Sequence, residues 1–356
     1  MEQENQDSMI TSMAQLGSVL TLTEDEKAFQ ECKQALPVAI NPYFFHLIDP
    51  DDPQDPLRRQ VVPTRFEQIE NNGEALDPLE EIDHSITSRL IHRYTNRVAF
   101  LVTDICPLYC RHCFRRRFTG TFNGPASKEE IKEAALYVGK HPEVLEILLT
   151  GGDMMTLSNK RIDELVGIFR SARPDLVIRL CTRTPASWPE RITDELIAVF
   201  KKYTSAPFYV MTQFNHPREI TPEAKIAIAK FVDAGIPAMN QTVLLRGVND
   251  SSDTLVELCN KLVANRVKPY YLFQGDLVSG TAHFRVPLKE GMQIAKELHK
   301  RLSGLALPSY TVDLPQGGGK VPLTQSYIEE TEEKGLWKIQ TPEGGIRYYQ
   351  DPPSGV

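Results

Sequence analysis

From Arg97 onward the chain alternates between two patterns of apolar and polar positions. Short apolar runs rich in β-branched residues stand at 98–105, 144–150, 176–183, 208–214, 238–246 and 268–274, spaced by roughly thirty residues as strand–helix units require. Between them apolar residues return at helical spacing, as at Leu255, Leu258 and Leu262. Helix starts are marked too: Ser127-Lys-Glu-Glu130 has the form of a capping box, Thr221-Pro222 puts proline at a first helical position, and Ser252-Asp253 precedes a periodic stretch. Strand and helix in strict alternation predict a parallel sheet with helices outside it, here an α/β open partial (β/α)6 TIM-like barrel. Such barrels carry their chemistry at the C-terminal ends of the strands. Near those ends fall a cysteine-rich loop, Gly151-Gly152-Asp153, Thr182-Arg183, Gln213, Gln241 and Asp276.

The flanks read differently. Residues 1–95 are helical pieces broken by the Pro/Asp-rich stretch 49–56, where proline forbids a continuous helix. This predicts an N-terminal helical segment wrapping a barrel of 96–305, with His92, Arg93 and Tyr94 delivered to the entrance of the first barrel strand. Residues 306–356 form a short C-terminal segment containing Lys320 after three glycines.

Composition narrows the class without changing the architecture. With 356 residues, 41% of them hydrophobic and 24% charged, the chain has the make-up of a globular protein. A formal charge of −7 argues against a nucleic-acid-binding surface, although Arg115-Arg116-Arg117 is a local cationic run that would suit anionic small ligands. There is no cationic stretch followed by an apolar one at the N-terminus, and no apolar run approaches the ~20 residues of a membrane span. Of six cysteines, Cys32, Cys181 and Cys259 are scattered without a framework spacing, as thiols of a reducing compartment are. The expectation is a cytoplasmic protein that meets neither nucleic acid nor membrane.

The other three, Cys106, Cys110 and Cys113, stand in a C-x3-C-x2-C spacing directly after the first apolar run. Cubane iron–sulfur clusters are normally held by four thiolates, so three on one loop leave one iron open to a small molecule. A zinc site would want a fourth ligand, and His112, between two of the cysteines, is poorly placed to supply it. With Tyr109 just before the middle cysteine, the triplet resembles the radical S-adenosylmethionine superfamily. That resemblance implies a 4Fe–4S cluster whose open iron chelates S-adenosylmethionine and generates a 5′-deoxyadenosyl radical. Gly151-Gly152-Asp153 looks like the element that binds the methionine amino group in that superfamily, its glycines letting backbone N–H and C=O groups approach a ligand. Gln241, by its place on the barrel, could reach the methionine carboxylate; a buried hydrogen-bonding glutamine is the plainer alternative. The run Gln316-Gly-Gly-Gly-Lys320 lacks phosphate-loop spacing, and on these residues alone is a glycine turn or a flexible arm presenting a lysine.

From about His92 to about Pro352 the chain is similar to the lysine 2,3-aminomutase family. It matches in order Cys-Arg-His-Cys-x-Arg-Arg-Arg, Leu-Leu-x-Gly-Gly-Asp, Val-Leu-Leu-Arg-Gly-Val-Asn-Asp, Pro-Tyr-Tyr, His-Phe-Arg and Asp-x-Pro-x-Gly-Gly-Gly-Lys. The resemblance implies that Lys320 is catalytic and holds pyridoxal 5′-phosphate, with Arg93, Tyr94 and Arg116 as further cofactor contacts. Arg115 would bind the substrate carboxylate, and Asp276 and Asp313 would clamp the distal amino group. Two carboxylates around one ammonium are sound electrostatics, whereas an acidic side chain would leave them repelling each other. The implied reaction is a 1,2-amino shift interconverting L-lysine and β-lysine through a pyridoxal phosphate aldimine, with a flavodoxin- or ferredoxin-type reductant. Alternatives are the shorter relative that makes β-lysine for elongation factor P and an arginine aminomutase; a cluster-bearing electron carrier would leave Lys320 unexplained. Two departures stand out. Ser251 replaces a cysteine that some members use for zinc, with no cysteine after Cys259, and the family's C-terminal extension is missing beyond Val356, which leaves a homo-oligomer open.

Overall fold

In the computed structural model, residues 8–31, 35–121, 123–323 and 326–352 are described, so Cys32 lies outside the described residues. Nine strands form one sheet in sequence order: β1 Leu90–Tyr94, β2 Arg97–Thr103, β3 Glu146–Gly151, β4 Val177–Thr182, β5 Phe208–Thr212, β6 Ala238–Val243, β7 Val267–Phe273, β8 Ser309–Leu314 and β9 Gly319–Pro322. From β2 to β8 every neighbour is parallel, while β1 and β9 close the two edges antiparallel. Parallel neighbours need a crossover, and each is a helix: α1 Lys128–Lys140, α2 Asn159–Ala172, α3 Asp194–Lys201, α4 Pro222–Asp233, α5 Ser252–Ala264 and α6 Leu288–Arg301.

The strands carry their own sidedness. In β2, Val98, Phe100 and Val102 are buried, as are Ile147 and Leu149 in β3 and Ile178 and Leu180 in β4, all within one core cluster with Val138, Phe169 and Leu258 of the helices. The alternate positions, among them Arg97, Leu148, Arg179 and Gln241, are only partly buried and belong to the barrel's inner face. The result is the expected curled half-barrel with its six βα units. Ser127 forms the expected capping box and Thr221 caps the helix that begins at Pro222. The cap of α5 is Ser251, one residue before the expected Ser252-Asp253 start; its Oγ accepts from the backbone N–H of Thr254.

Beyond the six units the sheet runs past both expected boundaries, gaining β1 from the N-terminal segment and the β8–β9 hairpin from the C-terminal one. The N-terminal residues otherwise form short helices, including Met13–Val19, Pro42–Phe45 and Pro56–Arg59, around their own cluster of Leu16, Ile40, Phe44 and Leu57. Leu108 of the cysteine loop is buried in that same cluster. At the other end β10 Ile328–Glu330, β11 Leu336–Gln340 and β12 Ile346–Gln350 make a separate antiparallel sheet. Among the described residues no helix is long and apolar enough to cross a membrane.

Candidate active site

Cys106, Cys110 and Cys113 leave the end of β2 and line a cavity of about 290 Å³ that also reaches Gly152, Gln241 and Lys320. Their loop is tied down from both sides. Asp104, fully buried, accepts from the backbone N–H groups of Asn123 (2.8 Å) and Gly124 (2.9 Å). The N-terminal wrap holds the other side: Asn41 Nδ2 donates to the Pro107 carbonyl (2.9 Å), Tyr109 N–H to the Ala39 carbonyl (2.9 Å), and Arg111 N–H to the Gln60 carbonyl (2.8 Å). The Arg111 guanidinium is itself buried on both oxygens of Glu67, at 2.8 and 2.6 Å. Tyr109 packs outward against Leu36 and Ala39. The backbone bonds therefore face away from the cavity and the thiols toward it.

Burial pushes the Cys106 thiol well up, and Asp153 and the other two thiols add to it; burial raises Cys113 as well, with Cys110 next. Thiols that raise one another by proximity ionise together only when a cation is bound among them. Among the described residues no three His, Cys, Asp or Glu side chains form a site for a single metal ion. Three thiols of one loop lining one cavity are the kind of donor set that holds an iron–sulfur cluster.

Gly151 and Gly152 have a structural reason that differs from the expected one. Gly151 has φ +109°, and a Cβ there would lie 2.6 Å from the Thr103 carbonyl; at Gly152 it would press closer still on Ile105. The N–H groups of Gly152 and Asp153 donate to the carbonyls of Thr103 and Ile105. These amides, expected to be exposed for a ligand, instead fasten β3 to the root of the cysteine loop. The Asp153 carboxylate continues the fastening, accepting from Thr182 Oγ1 (2.7 Å) and from the backbone N–H groups of Met155, Arg183 and Thr184. Gln213 and Gln241 line the cavity, and among the described residues their side chains make no hydrogen bond, so both amides are available to a bound molecule.

The three glycines before Lys320 are not a flexible arm but the turn of the β8–β9 hairpin, where Gly317 and Gly319 take φ +68° and +82°. Its register sets Asp313 directly across from Lys320. Lys320 Nζ is ion-paired with Asp313 Oδ2, and Asp313 Oδ1 accepts from Arg93 Nη2 at 2.8 Å. Nζ also lies 5.4 Å from the Phe273 ring centroid and 5.7 Å from that of Tyr94. Asp276 lines the same end of the cavity and, among the described residues, makes no hydrogen bond or ion pair. Burial, then the nearby Asp313, pushes its carboxyl up to about 7.

The arginine run is neutralised within the protein. Arg115 lines the cavity but gives Nε and Nη2 to Glu81, with Nη1 on Thr150 Oγ1 at 3.0 Å. Arg116 lies behind the cavity wall, on Glu67 (2.7 Å) and the Gly280 carbonyl (2.9 Å), and Arg117 pairs with Asp77 and Glu81. The structure thus unites the cysteines, the glutamine amides, Arg115, Asp276, Asp313 and Lys320, and leaves Arg116 outside. It adds contacts for three residues to which sequence reasoning gives no role, although it places Arg183 at a strand end. Arg97 lies with its guanidinium carbon 3.7 Å from the Tyr94 ring centroid; Glu81 holds Arg115; and Arg183 donates to Cys110 Sγ at 2.7 Å. Arg97 had a sequence signal in the close spacing of Arg93, Tyr94 and Arg97 across a strand turn, and Arg183 in its place at a strand end; Glu81 had none.

A half-barrel with three thiols at its first strand end defines the class, and residues 100–259 match the Radical SAM superfamily. Residues 295–355 match the Lysine-2,3-aminomutase family model. The L-lysine 2,3-aminomutase of Clostridium subterminale is 41% identical over 345 residues, covering 96% of this chain and 82% of that one. That of Bacillus subtilis (strain 168) is 38% identical, covering 98% and 73%. The chain belongs to the lysine 2,3-aminomutase family. A glutamate 2,3-aminomutase from Clostridioides difficile (strain 630) is also 38% identical, covering 97% and 81%, so overall identity does not separate the substrates and the site must.

Proposed function

We propose that the chain interconverts L-lysine and β-lysine by moving an amino group between neighbouring carbons. In this reading Cys106, Cys110 and Cys113 hold a 4Fe–4S cluster, S-adenosylmethionine occupies its open iron, and Lys320 carries pyridoxal 5′-phosphate. The observation that carries it is one cavity lined both by the three thiols and by Lys320, Asp313 and Asp276, the last unpaired among the described residues.

Pyridoxal phosphate needs a primary amine, cations for its phosphate and an apolar or aromatic wall. Lys320 supplies the amine, Tyr94 and Phe273 the aromatic wall, and Arg93 and Arg97 flank Tyr94 as cations. Among the described residues the buried Tyr94 hydroxyl and Arg93 Nε have no hydrogen-bond partner, so both can take up a ligand's oxygen. Bound there, the cofactor supplies electron delocalisation to the migrating nitrogen, while the cluster and S-adenosylmethionine supply the hydrogen-abstracting radical.

The chain's own residues position the substrate. Asp276 offers an unneutralised carboxylate to a distal ammonium. Asp313 joins it once Lys320 is engaged elsewhere and no longer pairs with it. Arg115 faces the cavity and takes the substrate carboxylate by exchanging part of its bond to Glu81. Leu79, Val278 and Phe284 line the walls and limit water. An acidic side chain would meet Asp276 and Asp313 as like charges, which favours lysine over glutamate. A low-potential flavodoxin- or ferredoxin-type protein is the class of donor that reduces such a cluster. Free Cys181 and Cys259 accord with a reducing compartment such as the cytoplasm.

The test is anaerobic incubation of the reconstituted protein with lysine, arginine, ornithine and glutamate separately, followed by product analysis. Lysine should give β-lysine and glutamate nothing. Turnover of glutamate in preference to lysine would overturn the assignment.

A further inference from the structure

Arg183 directly follows β4 and is only 7% exposed, in a pocket of polar side chains that no sequence motif announced. Its Nη1 donates to Cys110 Sγ at 2.7 Å, its Nη2 donates to Gln60 Oε1 at 2.6 Å, and its guanidinium lies 5.4 Å from the Phe44 ring centroid. Glu219, fully buried, sits 3.4 Å from Nη2. It is fixed by Gln60 Nε2 at 2.8 Å and by the Asn215 N–H at 3.2 Å. The three thiols are not equivalent in this respect. Cys113 Sγ has the Thr119 hydroxyl at 3.7 Å, whereas among the described residues Cys110 is the thiol that a cationic side chain bonds.

We propose that Arg183 is a positioning residue that sets the reduction potential of the cluster through Cys110, with Glu219 as its opposing charge. The inference rests on the reading that the three cysteines carry a 4Fe–4S cluster. The step concerned is the entry of one electron from an external low-potential donor, taking the cluster core from the 2+ to the 1+ state. No proton moves and Arg183 remains a cation. The added negative charge spreads over iron and sulfur, so a charge-assisted hydrogen bond to a ligand thiolate stabilises the reduced state more than the oxidised one and raises the potential. A buried carboxylate 3.4 Å from the same guanidinium acts in the opposite sense. With both groups withdrawn from water, neither effect is screened away.

The test uses the full chain, reconstituted anaerobically with iron and sulfide, with iron content measured first and the cluster then titrated with dithionite under electron paramagnetic resonance detection. Arg183→Met should lower the potential, cutting the reduced-to-oxidised ratio at a fixed poise at least about tenfold, about 59 mV for one electron. Arg183→Lys, which keeps the charge, should stay nearer the wild type. Glu219→Gln keeps the shape and an acceptor oxygen, and should move the potential the opposite way, upward. Opposite shifts from two neighbours at unchanged iron content are not what a merely structural pair would give. A fully loaded Arg183→Met protein with wild-type potential, or shifts of one sign from both sites, would overturn the inference. If Arg183→Met does not hold iron, Glu219→Gln decides: no upward shift overturns it. A wild-type chain that takes up no iron would bring down the cluster reading itself, a distinct outcome.

Discussion

Asp276 is the residue on which substrate choice and pH dependence meet. Burial and then Asp313 hold its carboxyl up to about 7, far above the ordinary ~3.9 of an aspartate in an unfolded chain. Only the ionised form attracts an ammonium, so KM for lysine should fall as pH rises through about 7. Asp276→Asn should flatten that dependence and raise KM by roughly 10- to 100-fold, the range for losing a hydrogen bond to a charged group. Initial rates from pH 6 to 8.5 check both. The linkage has the opposite sign for stability: between about pH 4 and 7 the unfolded chain releases this proton and the folded one keeps it, so its ionisation disfavours the fold as pH rises. Ligand-free Asp276→Asn should therefore melt higher than the wild type at pH 8 and equally at pH 4. The sequence made Asp313, Lys320 and the cysteines legible because each lies in a short motif, and Asp276 because it falls near a strand end. The contacts of Glu81 with Arg115 and of Arg183 with Cys110 were not, since the partners lie 34 and 73 positions away. Only the folded chain brings such pairs together.

The elements divide along similar lines. Strands β2 to β7 bury one face against helices, and their apolar runs at a regular period exposed the (β/α)6 frame. Strands β1, β8 and β9 were not legible, because the polar residues His92, Arg93, Asp313 and Lys320 break the alternation that marks a strand. The glycine run shows the limit most clearly: glycine allows both a loose arm and a tight hairpin, and only the pairing of Asp313 with Lys320 decides between them. Gly151 and Gly152 make a sharper test, since backbone rather than a mobile side chain would meet an added Cβ. Gly152→Ala should push β3 away from Ile105 and disturb the root of the cysteine loop. Reconstitution should then give well under half the wild-type iron per chain, while far-ultraviolet circular dichroism stays close to wild type. Normal iron loading in Gly152→Ala would show that the loop tolerates separation from β3.

At the scale of the whole molecule, the N-terminal wrap and the barrel are joined through the cysteine loop, and one carboxylate bears much of that junction. Glu67 receives Arg111 on both oxygens and Arg116 on one, with its side chain 1% exposed. Burial acts to raise its pKa, yet Arg111 and then Arg116 outweigh it and the net shift is downward. A depressed acid contributes stability that is present above its unfolded value, ~4.3 for glutamate, and is lost as pH falls through the folded one. Acidification below about pH 4.5 should thus loosen the wrap, and with it the loop that presents the thiols, before the barrel core of Phe100, Phe169 and Leu258 gives way. Glu67→Gln removes one partner of a buried pair and leaves two guanidinium groups uncompensated, a change that costs about 3–5 kcal/mol in other proteins. Its melting temperature should fall at pH 7, and the difference from wild type should shrink as pH drops below about 4. Limited proteolysis should then cut first between residues 8 and 68. A uniform loss of protection across barrel and wrap together would mean that the two unfold as one unit and that the junction at Glu67 is not the weak point.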